Sequence, residues 1–358
     1  MRPVKKSLAN PIYAPSAAQS FSGAVAALLQ KIDRVATQPT YTISLDRVLD
    51  LLLDRAKGLP IRGVSAVEQD VLVTGLKQRV SSLYKTAALP LTQELGAFCA
   101  YCGTALPGLV EVEHAVPKAP YPTYATAWEN FLPACGPCNT SKGNTPDRIT
   151  AIQSSGIQTP NETELRNTIR YHSYIWPDLA PDCYRRLPLK LHYHDSNRWI
   201  ELDPAASVNA NNQLTAYDVI QHQVLATIEV NHTLLNDVPV TVVVDCAAHD
   251  TVAADTIDLI GLNDDSSSIY DRRQMNRTRA WFDALEECRL LSTANSTPDL
   301  NWLWRSTPRR AASSGFYAVW LTVMQAYDAT YGTYYAKRVI QETNNSLYYP
   351  QTNTHTLP

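Results

Sequence analysis

The residues best equipped for chemistry crowd into one short part of the chain, Phe98 to Asn144. Cys99 and Cys102 form one C-x2-C pair, and Cys135 and Cys138 a second. Two such pairs supply the four thiolates that a closed tetrahedral zinc site takes. Disulfides are the competing chemistry and need an oxidising compartment. The N-terminus MRPVKKSLAN lacks the apolar core of a secretory leader, and Cys183, Cys246 and Cys288 leave an odd total, so thiolate-bound zinc is the expectation. Between and beside the pairs stand Glu113, His114, Asn130 and Asn139, with Lys118 and Lys142 in the same run. An imidazole suits proton transfer near neutral pH. The oxygens of Glu113 and Asn139 are hard donors that favour Mg²⁺ or Mn²⁺ over a thiolate-loving metal. Taken singly each residue has a plainer reading: a core histidine, a turn asparagine at 130, a helix-capping asparagine at 139, a solvated charge at Lys142. Their convergence within one metal-stapled stretch is what argues for a site.

Positioning these side chains takes a strand, a return and a helix. In VEVEHAVPK, Val110 and Val112 alternate with Glu111 and Glu113, the period-2 pattern of a half-buried strand that ends at Pro117. Glu113 and His114 then point to opposite faces. The WENFLPAC run carries Asn130 back to the second cysteine pair, and CNTSKGN opens a short helix at Asn139.

In this order the residues resemble the HNH endonuclease family, whose zinc-stapled members read roughly C-x2-C, [DE]-H-x-x-P, W-x-N-L and C-x2-C-N-x-x-K-G. The resemblance covers residues 95–148. It implies a ββα-metal fold in which a hairpin carries the acid and the histidine and the following helix supplies the last ligand. By that resemblance His114 is the general base and Asn130 orients the hairpin. Glu113 and Asn139 hold a catalytic Mg²⁺ or Mn²⁺, and Lys142 and Lys118 contact nucleic acid. Asn139 stands where many members have histidine. A second likeness lies further on: TI-x-L-GLN within Ala254–Asn263, followed by an arginine-rich helix, resembles the C-terminal part of HNH proteins that pair with an ATPase in Septu-type anti-phage systems.

The 358 residues are 45% hydrophobic and 18% charged, ordinary for a globular protein with room for two domains. No apolar run is long enough to span a bilayer, and with no targeting signal the expected setting is a reducing cytoplasm. A net charge of −3 argues against a surface that coats nucleic acid unaided. The charge is unevenly placed: +6 over residues 1–90, −2 over 91–150, −10 over 151–269 and +3 over 270–358.

The expected fold class is α+β. Residues 1–94 read as a basic arm, extended through residue 16, and a helical lead-in with helices over Gln19–Ala36, Leu45–Lys57 and Val64–Lys85, whose Lys77, Arg79 and Lys85 either line a nucleic-acid path or face solvent. Residues 95–150 form the HNH core. Residues 151–343 form a mixed α/β accessory or partner-docking region. Helices are expected there at Ile149–Gln158 and Glu162–Tyr174, and strands at Leu187–Tyr193 and Arg198–Leu202 with Asn209–Asn212 as their turn. Further strands fall at Val224–Val230 and Val238–Asp245. His192 and His194 share a strand face but lack companion ligands, so they read as structural. Next come a helix over Tyr270–Leu291 with Arg272, Arg273, Arg277 and Arg279, a mobile loop over 292–314 exposing Arg305, Arg309 and Arg310, and an apolar helix over Phe316–Ala329 that closes the core. Residues 344–358 read as a polar tail. The function these readings imply is metal-dependent phosphodiester hydrolysis, with DNA as the expected substrate and an ATPase as the candidate protein partner. The alternative is a catalytically inert zinc-stapled module that binds nucleic acid or protein.

Overall fold

The computed structural model describes residues 1–7, 74, 78, 80–108, 110–121, 124–146, 151, 153, 156, 162–195, 198–202, 213–218, 223–229, 240–264, 271–344, 349, 351 and 352. The expected helices at Gln19–Ala36 and Leu45–Lys57, the residues Lys77 and Arg79, and the Asn209–Asn212 turn lie outside these residues.

Two elements build the hairpin: β1 (Glu111–His114) pairs antiparallel with β2 (Phe131–Ala134), with Glu113 opposite Leu132 and His114 opposite Phe131. Pro133 sits within β2, tolerated because a two-stranded ribbon leaves its missing N–H on an edge. Helix α1 (Ala88–Leu95) lays Leu91 and Leu95 on the hairpin, where they meet Val112, Trp128 and Phe131 in a small apolar cluster. Helix α2 (Gly136–Lys142) follows β2 directly. Cys135 enters it in extended conformation, proline occupies its first turn, and Gly143 ends it at positive φ.

Beyond the hairpin come α3 (Glu162–Thr168), a π-turn over Ile169–Ser173, and α4 (Cys183–Arg186). An antiparallel sheet is built from β3 (Leu189–Asp195), β4 (Arg198–Leu202), β5 (Gln213–Asp218), β6 (Gln223–Glu229) and β7 (Val240–Val244) in the order β6-β5-β4-β3-β7. Strand β5 is an addition to the sequence expectation, since QLTAYD shows little apolar alternation. The register pairs Asp195 with Arg198, so Asn209–Asn212 does not join β3 to β4. The C-terminal region is helical: α5 (Thr251–Ile260), α6 (Arg273–Thr293), α7 (Thr297–Ser314), α8 (Tyr317–Tyr331) and α9 (Tyr335–Asn344). The whole is α+β, as its sequence implies.

Three stretches differ from expectation, each for a physical reason. The loop expected over 292–314 is mostly α7. Ser296 caps it, its hydroxyl accepting from the Asp299 amide at 3.2 Å, and a buried stripe of Leu303, Trp304, Thr307 and Ala311 sits at helical spacing. The Ser, Thr, Pro and Arg of this segment mark its exposed face and its cap, and Arg305, Arg309 and Arg310 do face outward. The N-terminal arm is extended but buried over its first residues: Val4 donates to the Pro177 carbonyl, and Arg2 donates to Thr352 and to the Leu95 carbonyl. The polar tail is anchored too. Tyr349 is buried, stacked on Phe98 at 4.6 Å, with its hydroxyl donating to the Ala311 carbonyl.

One large apolar cluster runs through Phe98, Tyr101, Leu132, Trp176, Leu191, Val242, Trp281 and Trp320. Residues of the hairpin segment and of the C-terminal region therefore share a core. Helix α8 is its centre, with Trp320, Leu321, Val323 and Met324 fully buried, so the apolar helix closes the core as its composition suggests.

Candidate functional site

Two centres lie on opposite ends of the hairpin. At the first, the Sγ atoms of Cys99, Cys102, Cys135 and Cys138 all lie within 4.8 Å of one another, and no disulfide joins them. Cys102 and Cys135 are 3.7 Å apart. Four thiolates around zinc at about 2.3 Å leave tetrahedral edges of about 3.8 Å, so this donor set fits the ion. The knuckle that presents the first pair is tight: Cys99 N–H donates to the Thr104 carbonyl and Gly103 N–H to the Cys99 carbonyl. Gly103 has φ +84, and a Cβ there would meet the Phe316 backbone at 3.2 Å. Phe316 N–H donates to the Gly103 carbonyl at 2.6 Å, and a Cβ on Gly315 would collide with Ala105 N at 2.5 Å. Only a backbone without side chains allows this approach.

A fully ligated four-thiolate zinc carries two net negative charges, and a buried anion of that kind needs compensation. Arg273, on the first turn of α6, donates to Cys138 Sγ at 3.2 Å and to the Ile260 carbonyl, while Asp271 holds its other edge at 2.7 Å. Arg277, one turn on, donates to the carbonyls of Val242 and Leu262 and to Asn263 Oδ1. Burial pulls the Arg277 guanidinium down to about 10, with the cysteines opposing the shift. Asn263 also clasps Val244 through both backbone groups. The GLN run thus joins β7, α5 and α6, with Gly261 in the left-handed conformation that ends α5. Arg273 and Arg277, expected as open to phosphate or a partner, are instead buried structural ties, while Arg272 and Arg279 are exposed.

The second centre is at the far end of β1. His114 is only 3% exposed. Its Nε2 lies 2.9 Å from the Ala125 carbonyl, which can only accept, so Nε2 carries the proton and Nδ1 keeps the lone pair. Burial pushes its pKa down to about 3, partly offset by that carbonyl and reinforced by the Lys118 and Lys142 charges. Asn130 is fully buried. Its Oδ1 accepts from Val116 N–H at 2.7 Å and its Nδ2 donates to the carbonyls of Val116 and Tyr124, fixing the loop that holds Ala125. Outside this loop, Arg170 bonds the Glu129 carbonyl and Lys6 those of Trp128 and Phe131, and both cations meet Asp178 of the WPD run.

Glu113 lies on the α2 side of β1 and is 3% exposed; its Oε1 is 2.8 Å from Lys142 Nζ. Lys142, read from sequence as a solvated charge, is fully buried. Asn139 donates from Nδ2 to Glu111 Oε2 at 2.6 Å. The structure thus gathers Glu111, Glu113, Asn139 and Lys142 on one side of the hairpin, and the side-chain oxygens of Glu113 and Asn139 are hard donors by type. Lys118 is exposed, its ammonium 5.2 Å from the Tyr84 ring centre.

Sequence reasoning missed two contributors. Glu111 had a signal, two residues before Glu113 on the same strand face. Tyr84 had none: its ring stands edge-on to His114 at 4.6 Å, and with Phe131 at 5.2 Å it shuts the imidazole from water. The expected helix over Val64–Lys85 is helical where described and delivers this tyrosine. His192, on β3, joins no cluster of potential metal ligands among the described residues.

No protein-family model matches the chain, and no solved structure matches it. A stretch of 66 residues is 36% identical to the Septu protein PtuB of Bacillus thuringiensis, covering 18% of this chain and 26% of that protein. The match thus spans about a quarter of the relative's length. Among the described residues no helix is long and apolar enough to cross a membrane.

Proposed function

We propose that the chain is an HNH-type endonuclease that hydrolyses phosphodiester bonds in DNA as part of an anti-phage defence module. The carrying observation is the His114 arrangement: an imidazole with its proton pinned to the Ala125 carbonyl and its Nδ1 left unprotonated, at the end of a hairpin that carries four clustered cysteines and adjacent to Glu113. A histidine so held is in its neutral base form, the form that takes a proton from water once Tyr84 moves aside. Asn130 keeps the loop, and through it the ring, in place. Glu113 and Asn139 would hold a magnesium or manganese ion, whose charge when bound offsets that on the departing 3′ oxygen. The partial likeness to a Septu protein supports the defence role. An ATPase subunit remains the candidate partner, docking through surface other than Arg273 and Arg277. Lys118, exposed beside Tyr84, is the better placed of the two lysines to meet a phosphate.

A second reading, an inert zinc-stapled binding module, is favoured by the closed state of the site: Tyr84 covers His114, and Glu113 and Asn139 are engaged by Lys142 and Glu111. One experiment separates the two. Purified chain, with and without a co-expressed candidate ATPase, is incubated with plasmid DNA and Mg²⁺ or Mn²⁺ beside His114→Ala. Divalent-dependent cleavage lost in the variant supports the nuclease; cleavage by neither preparation, with DNA still bound, supports the inert module.

A further inference from the structure

Lys142 and Glu113 form a pair that the proposed hydrolysis does not use. Lys142 is the last residue of α2 and none of its side chain reaches solvent. Its Nζ is 2.8 Å from Glu113 Oε1, and neither atom has a further hydrogen-bond partner among the described residues. A buried carboxylate needs a positive partner, and a buried ammonium needs a negative one. Here Glu113 is the anion that faces the ammonium, and Lys142 is the nearer of the two cations, with Lys118, that face the carboxylate. Most buried ion pairs are knitted into further hydrogen bonds, as Arg273 is with Asp271, Cys138 and Ile260. Glu113 also takes a backbone bond from His114, but Lys142 has no second bond among the described residues, so little but the attraction of Glu113 holds the ammonium in place.

We infer that Lys142 is a built-in stand-in for the divalent cation, occupying Glu113 until a metal ion displaces it, so that Lys142 sets the metal concentration at which the site fills. The inference rests on the reading of Glu113 as a metal ligand. A magnesium or manganese ion binds carboxylate oxygen at about 2.0–2.2 Å and would sit against the ammonium if both shared one carboxylate. One cation must leave, and the lysine has somewhere to go: Gly143, Asn144 and Thr145, which follow it, are exposed. A four-carbon stem at a helix end can swing its charged head there. Entry of the ion thus exchanges an internal cation for an external one, keeps Glu113 compensated throughout, and moves a positive charge to the surface beside the site.

The test measures Mn²⁺ binding to the zinc-loaded full chain without DNA, by electron paramagnetic resonance of the free ion. Lys142→Met keeps the stem and removes the competing charge, and it should bind Mn²⁺ about tenfold or more tighter than wild type, since each 1.4 kcal/mol of relieved competition is tenfold. Lys142→Arg should stay near wild type. If Lys142→Met binds no tighter while Glu113→Gln loses binding, the exchange is wrong and Glu113 stands as a ligand. If Glu113→Gln leaves Mn²⁺ binding unchanged, the ligand assignment itself falls and the exchange with it. Should Lys142→Met fail to fold, judged by zinc content, the wild type decides through acetylation of Lys142 followed by mass spectrometry. Labelling that rises with Mn²⁺ supports displacement, and labelling indifferent to Mn²⁺ overturns it.

Discussion

The two ends of the hairpin answer the same problem, placing metal-seeking side chains, in opposite ways. At the cysteine end four Sγ atoms already lie within 4.8 Å of each other, and their surroundings, Arg273 above all, are arranged for a charged cluster. Along the face that leads to the histidine the donors are taken by the protein itself: Glu113 by Lys142, Asn139 by Glu111, and, at the far end, His114 by a tyrosine edge. The first site is finished and the second is held shut. Under the proposed function the difference follows from task. A structural ion contributes most when its cage persists, whereas a hydrolytic site must admit water, metal and phosphate and then release product.

The contrast breaks most sharply at the cysteines. Cys135→Ser should lose zinc and the fold together, since structural zinc binding supplies on the order of 10 kcal/mol. One zinc per chain by elemental analysis, absent from an unfolded variant, is the expected result; a zinc-free, folded and active protein would refute it. At the other end, His114→Ala should keep zinc and fold while DNA cleavage falls by roughly 10²–10⁴-fold, the contribution of a positioned base. If both variants proved equally unfolded, the two ends would not be separable as described.

Arg277→Met tests whether the cysteine end depends on the C-terminal helices. It leaves the carbonyls of Val242 and Leu262 without their donor, and the cost should be about 3 kcal/mol in denaturant unfolding, with faster zinc release to a chelator. An unchanged release rate would show the arginine to be decoration.

Acid should act at the histidine end through Asp178. Burial raises its pKa, but Arg170 and Lys6 outweigh that and hold the carboxyl below its ordinary 3.8. A depressed carboxyl contributes stability above its unfolded pKa, and that stability is lost as pH falls through the folded value. Thermal stability should therefore decline below about pH 4, and Asp178→Asn, less stable at neutral pH, should flatten that part of the curve.

The smallest effect belongs to Tyr84→Ala. An aromatic pair is worth about 0.5–1.5 kcal/mol, so uncovering His114 should raise cleavage by roughly two- to twelvefold. A fall in rate would mean that the tyrosine positions the histidine rather than shutting it away.

Much of this was legible in the sequence because it rests on local spacing. The cysteine pairs, the Glu113–His114 strand, the return through Asn130 and the helix at Asn139 each depend on residues close in sequence, where period and turn chemistry speak directly. What escaped depends on distant partners. Nothing around Lys142 shows that Glu113 will bury it, and nothing in DRRQMNRTRAW tells Arg273 and Arg277, which are buried, from Arg272 and Arg279, which are not. The same limit hid Tyr84. Helix α7 was legible in principle, since Ser296 and Asp299 are spaced as a cap, but a polar, proline-containing composition spoke louder than the buried stripe beneath it.

The bond from Arg273 to Cys138 spans 135 residues. On a ribosome adding roughly 5–20 residues per second, the cysteines emerge on the order of ten seconds before their guanidinium partner. Throughout that interval a nascent chain carries a charged thiolate cluster with no counterion from α6, and no Gly315–Phe316 turn to press on its first knuckle. The hairpin end cannot mature ahead of the chain's last third. A protein broken off during synthesis would leave the cell an unfinished hairpin.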